Sequence, residues 1–575
     1  MLKLFKYLKP FSQSVALVLV LVFFQSLADL YLPTLMSDIV DTGIVKGDTS
    51  YILRVGAFML LVAAVSGLCL ISASYLSAKV ATGLGRNLRS LVFARVESYS
   101  QHEFDKLGTA SLITRTTNDI TQVQQVLIMM MRMMVGAPMM SIGGIIMAVS
   151  KDAALSLIFV VVLPVLAVVI FGIAGKGIPL FKAMQVKLDT LNRVLREGLT
   201  GIRVIRAFNR IDHEKERFTE ANRDLTHTAI KVNIIMASLM PVMMAVMNLT
   251  TIAIVWFGGI RVNNGDMQVG DMMAFLQYAM QIMFSLVMVS FMFIMIPRAE
   301  ASAMRINEVL DMIPEIKDAE EIKNPDSQRG FVEFKDVTFS YPGAEQPALK
   351  DVSFMAGPGE VTAIIGGTGS GKSTLINLIP RFYDIDSGSV FVDGVDVREM
   401  SQANLRAKIG FVPQKAVLFT GTIAENIRYG KEDATDQEVE HAARIAQAIE
   451  FITSMTDGFN SVIAQGGANI SGGQKQRLAM ARALVRRPEI YVFDDTFSAL
   501  DFKTDAQLRA ALKKEIADAT VIIVAQRVST VMNANRVIVM DDGRIVGMGT
   551  HRELLTTCEV YREIVSSQFS EEELA

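Results

Sequence analysis

The chain has 575 residues, of which 51% are apolar and only 20% charged, and its formal net charge is -3. That balance excludes a polyanion-binding surface, so nucleic acid is not an expected partner, and two cysteines, Cys69 and Cys558, exclude a disulfide framework. The mean hydropathy of +0.36 is unevenly spread: residues 1–300 carry long apolar runs, whereas residues 330–575 have the mixture of an ordinary soluble α/β domain.

Residues 2–12 alternate basic and apolar side chains at helical spacing, which fits a short helix lying in the cytoplasmic interface. Lys3, Lys6 and Lys9 precede an apolar run with no small-residue cleavage site, so this is not read as a cleavable leader. Six runs then come close to the ~20 residues a bilayer requires. They lie near 15–36, 52–78, 133–150, 154–174, 236–260 and 271–296. Lys and Arg are dense in 79–132 and 175–235 and sparse in 37–51 and 261–270, so the two long connections and both termini are expected in the cytoplasm. Connections of that length are read as helices leaving the membrane and returning, with reversals near 103–112 and 200–212. Methionine is abundant, 34 in all, which suits either an adaptable ligand lining or simple gap filling. Gln277 and Gln281, four apart, are expected on one interior face of the sixth span. Pro138, Pro164 and Pro241 are candidate kinks. The boundaries expected are a transmembrane domain over 1–312, a linker over 313–330, a nucleotide-binding domain over 331–566 and an acidic tail over 567–575.

In the soluble half, residues 331–340 alternate as a strand that ends at Tyr341. The apolar run 361–365 precedes G-G-T-G-S-G-K-S-T at 366–374, which contains G-x-x-x-x-G-K-[ST]. In such a loop Gly366, Thr368, Gly369, Ser370 and Gly371 turn backbone N–H groups around phosphate oxygens. Lys372 supplies a point charge, Ser373 a hydroxyl for Mg²⁺, and Thr374 opens a helix. Gln414 follows the run 409–412. Ser471, Gly472, Gly473 and Gln474 open a basic helix that Ser471 could cap. The strand 490–493 ends at Asp494, placed to hold Mg²⁺ through water, and Asp495 follows it. The strand 521–524 leads to Gln526.

This ordered set resembles the ATP-binding cassette family, and the resemblance covers the whole chain. The layout is similar to an exporter half: an α-helical six-span membrane domain fused to an α/β P-loop nucleotide-binding domain. Leu112, Arg115, Asp119 and the run G-I-R-V-I-R-A-F at 201–208 are similar to exporter cytoplasmic segments. The resemblance implies that two such halves pair in the bilayer and bind ATP and Mg²⁺ between head-to-tail nucleotide domains. It implies that Tyr341 stacks on adenine, that Gln414 contacts the metal and couples to the membrane domain, and that Ser471 to Gln474 touch the partner's ATP.

Two departures from the family pattern shape the functional expectation. Asp495 stands where the family has a glutamate that polarises the attacking water, and Gln526 where it has a histidine facing the γ-phosphate. Aspartate is one methylene shorter, a deficit of roughly 1.5 Å, against a working reach of about 3.2 Å for a general base. Glutamine donates a hydrogen bond but cannot become a cation. Gln465, upstream of the signature, replaces a glutamate common in exporters, and Ile470 a leucine. The expectation is therefore a subunit of a heterodimeric multidrug exporter of lipophilic compounds whose own site cleaves ATP slowly. Its unlike partner would carry Glu and His at the two altered places. The alternatives are a homodimeric lipid or peptide exporter and an ATP-binding regulatory membrane subunit.

Overall fold

The structure, a computed structural model, describes residues 1–323, 325 and 329–569. Residues 324 and 326–328 of the expected linker and 570–575 of the expected tail lie outside the described residues. The chain forms two compact units: Met1–Glu97 with Ala110–Met312, and Ser98–Thr109 with Ile313 onward.

The first unit is helical. A 3₁₀ segment, Leu2–Phe11, leads into the helix Ser12–Asp38, and the helices Thr49–Glu97, Leu157–Thr200, Ile211–Asn263 and Val269–Asp311 follow in order. Between the second and third of these, Ile120–Pro138 runs through a π turn, Met139–Gly143, into Gly144–Lys151. Six of these helices are long and apolar enough to cross a membrane. The 49-residue helix Thr49–Glu97 is about 74 Å long at 1.5 Å per residue. That is more than twice the ~30 Å of a hydrocarbon core, so each such helix continues into water. The π turn lies immediately after Pro138, where the missing N–H releases the regular ladder.

Packing within this unit mixes apolar and polar contacts. Phe159 and Phe275 stack with ring centroids 5.2 Å apart. The hydroxyl of fully buried Tyr278 lies 2.7 Å from Thr34 Oγ1 and donates to Leu30 O at 3.1 Å. Gln281 Nε2 donates to Asp29 O at 3.1 Å, whereas Gln277 is exposed. Four residues advance a helix by about 400°, so the two amides diverge by about 40°, and Gln277 passes the edge of the buried stripe. The expected shared interior face therefore holds for Gln281 only. At the ends of the helices, Lys151 Nζ meets Asp271 Oδ1 at 2.8 Å, Ser37 Oγ donates to the same oxygen at 2.8 Å, and Arg261 Nε meets Asp152 Oδ2 at 2.6 Å. At the opposite ends, the buried Asp119 carboxylate accepts from Ser302 Oγ (2.9 Å) and Arg305 Nε (2.7 Å), while Arg115 Nη1 pairs with Glu308 Oε2 at 2.7 Å. The expected second reversal holds a short helix, Ile202–Ala207, with Ile202, Val204 and Phe208 exposed.

The second unit is built on two main sheets. Strands β1 (Val332–Phe339), β2 (Leu349–Ala356), β4 (Ser387–Val392) and β5 (Val395–Asp396) form an antiparallel sheet of order β2-β1-β4-β5. Strands β3 (Val361–Gly366), β6 (Ile409–Val412), β9 (Ile490–Asp494), β10 (Thr520–Val524), β11 (Arg536–Asp541) and β12 (Arg544–Gly549) form the other, in order β12-β11-β3-β10-β9-β6. The latter is parallel except for β12. A small pair, β7 (Gly421–Thr422) with β8 (Val462–Ile463), lies apart from both. β9 and β10 are buried at every residue, as covered parallel strands must be.

The segment Ser98–Thr109 carries the first reversal as the helix Gln101–Leu107. Glu103 anchors it. Its carboxylate accepts from the N–H of Ser100 at 2.7 Å, closing a capping box, and from the N–H of Glu315 at 2.9 Å. Burial alone would raise the Glu103 pKa, but the bonds from the Ser100 hydroxyl, Glu315 and the Ser100 N–H outweigh it and hold the pKa below its ordinary 4.5. The stabilisation is therefore present above pH 4.5 and is lost as the pH falls through the lower folded value. At neutral pH, Glu103→Ala is expected to speed hydrogen exchange at the amides of Ser100 and Glu315 about tenfold, the effect of losing a charge-assisted bond of roughly 1.5 kcal/mol. Unchanged exchange would show that the carboxylate anchors nothing.

Candidate nucleotide-binding site

The site forms at the carboxyl ends of the central parallel strands, where open α/β sheets bind their ligands. β3 ends at Gly366, flanked by β11 on one side and β10 on the other. A Cβ at Gly366 would lie 2.2 Å from Met540 O, so no larger residue fits there. Gly371, at φ +93°, turns the chain into the helix Lys372–Leu378, and a Cβ there would meet Ala348 O at 2.9 Å. Cβ atoms at Gly367 and Gly369 would meet nothing within 4 Å, so that side of the loop is open.

Lys372 is buried with its ammonium folded onto the loop: Nζ donates to Gly366 O (3.0 Å), Gly367 O (2.6 Å) and Ser370 Oγ (3.3 Å). Burial lowers its pKa, and the charges of Asp495 and Asp494 oppose that shift. Among the described residues no carboxylate pairs with it directly, so the charge is held by two neutral carbonyls and a hydroxyl and stays available to an anion. Ser373 Oγ donates to Asp494 Oδ1 at 3.0 Å. Burial raises the Asp494 pKa, partly offset by that bond.

Asp495 is the hub of the site. Its Oδ2 accepts from Gln526 Nε2 at 2.9 Å and from Gln414 Nε2 at 3.3 Å. Its N–H donates to Val524 O at 3.0 Å, and its φ of +46° puts it in the left-handed region that Asp tolerates better than most residues. Burial raises its pKa against the bonds from Ser498 and Gln414. The hydroxyl of Tyr341 lies 3.0 Å from Thr374 Oγ1, and its ring meets those of Phe339 and Tyr383 edge-on.

The structure thus joins Lys372, Gly366 and Ser370; Ser373 and Asp494; Gln414, Asp495 and Gln526; and Tyr341 and Thr374. It does not join the signature to them. Ser471 Oγ caps the helix Gly472–Leu484 by accepting from Gln474 N at 3.3 Å, and Gln474 Oε1 accepts from Ser471 N at 2.9 Å. Ser471 and Gly472 are exposed. Two contributors escaped the sequence reading. Gln568 Nε2 donates to Gln526 O at 2.8 Å while its Oε1 accepts from Val528 N, and Gln476 Nε2 donates to Pro413 O at 3.2 Å beside Gln414. Neither lies in a recognisable motif.

The residues fit a nucleotide and its cation. An open glycine loop and a lysine without a counter-ion suit a phosphate chain. One hydroxyl and one carboxylate, with no cluster of three His, Cys, Asp or Glu among the described residues, suit a Mg²⁺ that takes its other oxygens from phosphate and water.

Residues 15–286 match the ABC transporter transmembrane region, and residues 349–498 match the ABC transporter domain. An uncharacterised ABC transporter ATP-binding protein of Mycobacterium tuberculosis is 45% identical over 567 residues, covering 98% of this chain and 97% of the relative. The chain belongs to the ABC transporter family. A second relative, the uncharacterised ABC transporter ATP-binding protein YfiB of Bacillus subtilis, is 38% identical over 572 residues, covering 100% of this chain and 99% of the relative. The structure of a bacterial Atm1-family ABC exporter with ATP bound matches with a TM-score of 0.80 at 25% identity, over 97% of this chain and 99% of that one. The protein is accordingly an ABC exporter half: a multi-pass membrane protein with an ATP-binding domain on the cytoplasmic side. Exporters of this family act as dimers in the bilayer.

In this transporter half, Lys372→Ala is expected to weaken ATP binding to the chain ten- to hundredfold, the effect of a lost charge-assisted contact worth about 1.5–3 kcal/mol. Titration with a fluorescent ATP analogue measures it, and unchanged affinity would rule out the loop as the phosphate cradle.

Proposed function

We propose that this chain is one half of a heterodimeric ABC exporter of lipophilic compounds, and that the site built on its own Walker residues binds ATP well and cleaves it slowly. In this reading residues 1–312 form the transport path, residues 331–566 bind nucleotide, and 313–330 join them. Lys372, Ser373, Thr374 and the loop from Gly366 to Gly371 hold the phosphates, Ser373, Gln414 and Asp494 hold Mg²⁺, and Tyr341 packs on the base. Mg²⁺ supplies charge neutralisation at the phosphates when bound.

The observation that carries the proposal is the tethering of Asp495. Its short carboxylate is held by two amides on a single oxygen, at 2.9 Å from Gln526 and 3.3 Å from Gln414. A general base must reach the proton it takes, and this one is drawn toward neighbouring side chains. Gln526 commits one of its two amide hydrogens to that carboxylate and cannot carry a positive charge toward a phosphate. The backbone of Gln526 is itself pinned by Gln568, which holds the pair in place. Ser471 to Gln474 stand apart from these residues and retain an ordered cap, which supports a role for them at a partner's site. Slow cleavage here then leaves fast cleavage, and the resetting of the transport cycle, to a partner with Glu and His at the corresponding places.

Two outcomes are expected from ATPase assays on the reconstituted pair. Asp495→Asn changes the steady-state rate less than twofold, because a poor base contributes little. Asp495→Glu combined with Gln526→His raises the rate at this chain's site by one to two orders of magnitude, within the ~10²–10⁴ span of general-base catalysis. Full activity of the chain without a partner, abolished by Asp495→Asn, would defeat the proposal.

A further inference from the structure

Asp29 is the one carboxylate in the interior of the membrane spans. Apart from Asp271 at the start of the sixth, no other Asp or Glu falls within the six apolar runs, and Arg54, two residues into the second, is their only Lys or Arg. Asp271 pairs with Lys151 and accepts from Ser37 in the polar layer that closes the spans on their outer side. Depth follows from helical rise. Asp29 stands eight residues before Ser37 on the same helix, about 12 Å further in and near the middle of a ~30 Å hydrocarbon core.

This carboxylate is half-buried and has only neutral partners. Ser66 Oγ of the second span donates to its Oδ1 at 2.6 Å, and Gln25 Nε2 lies 3.5 Å from its Oδ2. A carboxylate offers about four acceptor positions, so two contacts leave room for a further donor. Among the described residues no cation pairs with Asp29, whereas Asp119, Asp152 and Asp271 each meet an Arg or Lys. Asp38 and Asp41, beside Ser37, stand at the level of headgroups and water and need no such partner. At the midplane a charge is costly unless an opposite one meets it.

Two neighbours of Asp29 line a cavity. Gln25 and Gln281 both border a space of about 590 Å³ between the first, third and sixth spans, within the size range of small-molecule sites. Each commits an amide hydrogen to Asp29, Gln25 to the carboxylate and Gln281 Nε2 to the backbone oxygen at 3.1 Å. The Oε1 of Gln281 is buried with no hydrogen-bond partner among the described residues, so an acceptor is left over beside the acid. Met140, Met280 and Phe284 also line the cavity, about 14–20 Å from the outer layer by their spacing from Lys151 and Asp271. Thioether sulfur and an aromatic face suit a soft organic cation. Arg132 lies in the lining too, but it is exposed and nineteen residues from Lys151. That puts it about 16 Å from Asp29 along the spans, beyond the ~8–10 Å over which exposed charges act in physiological salt.

We infer that the cavity of this exporter half takes lipophilic amines in their protonated form. The ammonium N–H groups go to the Asp29 carboxylate and the Gln281 oxygen, and the apolar body lies among Met140, Met280 and Phe284. The assignment rests on reading residues 1–312 as a transport path, and it names the substrate class of that path. Organic anions of the same size are disfavoured, because Asp29 repels them.

The test is equilibrium binding to the full-length chain, in the assembly it forms in its own membrane, placed nucleotide-free in phosphatidylcholine nanodiscs at neutral pH, with binding to empty nanodiscs subtracted. Three radiolabelled probes share one naphthyl ether body: propranolol, a secondary ammonium; N-acetylpropranolol, which is neutral; and 1-naphthoxyacetate, an anion. Propranolol is expected to bind saturably and about tenfold or more tightly than either of the others, the effect of one charge-assisted contact. Asp29→Asn should bring propranolol down to the affinity of the neutral probe and leave the neutral probe unchanged, which also reports that the cavity is intact. The ranking of the probes on the unaltered protein needs no variant. Native propranolol affinity in the Asn variant, or naphthoxyacetate bound as tightly as propranolol by the unaltered protein, would overturn the inference. Because no nucleotide is present, this result is independent of how fast Asp495 permits ATP to be cleaved.

Discussion

The nucleotide site depends on one crowded carboxylate oxygen. Asp495 Oδ2 receives amide hydrogens from Gln414 and Gln526, residues far from it and from each other in the chain. The three are brought together because β9 lies between β6 and β10 as parallel neighbours, Val412 opposite Phe493 and Val524 opposite Asp494, so the residues just past all three ends emerge side by side. Oδ2 of Asp495 thus meets one hydrogen from each amide. The proposed slow cleavage rests on reach: the carboxylate is one methylene short and is held by two protein amides.

The same demand for satisfied polar groups shapes the membrane half by other means. Within lipid each backbone group must be bonded internally, so the spans are helices, and the third of them is interrupted by the π turn that follows Pro138. Ion-paired charges are held at the ends, as in the Lys151–Asp271 and Arg115–Glu308 pairs.

How much of this was legible in the sequence follows from the range of the forces involved. The phosphate loop was readable because its constraints are local: Gly366 and Gly371 face backbone atoms that admit no side chain, and Lys372 folds back on carbonyls five and six residues before it. The capping box of Ser471 and Gln474 is likewise spelled within four residues. The spans were readable from hydropathy, and their extension into water from the basic stretches that continue their period. What was not readable is long-range. Nothing near Gln526 announces that it bonds to Asp495 rather than facing a phosphate, and nothing near Gln568 announces that it braces Gln526. Gln277 and Gln281 looked equivalent by spacing, yet the width of the buried stripe separates them.

The central claim concerns the fate of ATP on this particular polypeptide, and photo-labelling during turnover reads it directly. The assembled transporter is given a photo-reactive ATP analogue, illuminated after several cycles, and the nucleotide attached to each subunit is identified as tri- or diphosphate. The account expects mostly triphosphate on this chain and mostly diphosphate on its partner. Diphosphate accumulating on both at the same rate would contradict it.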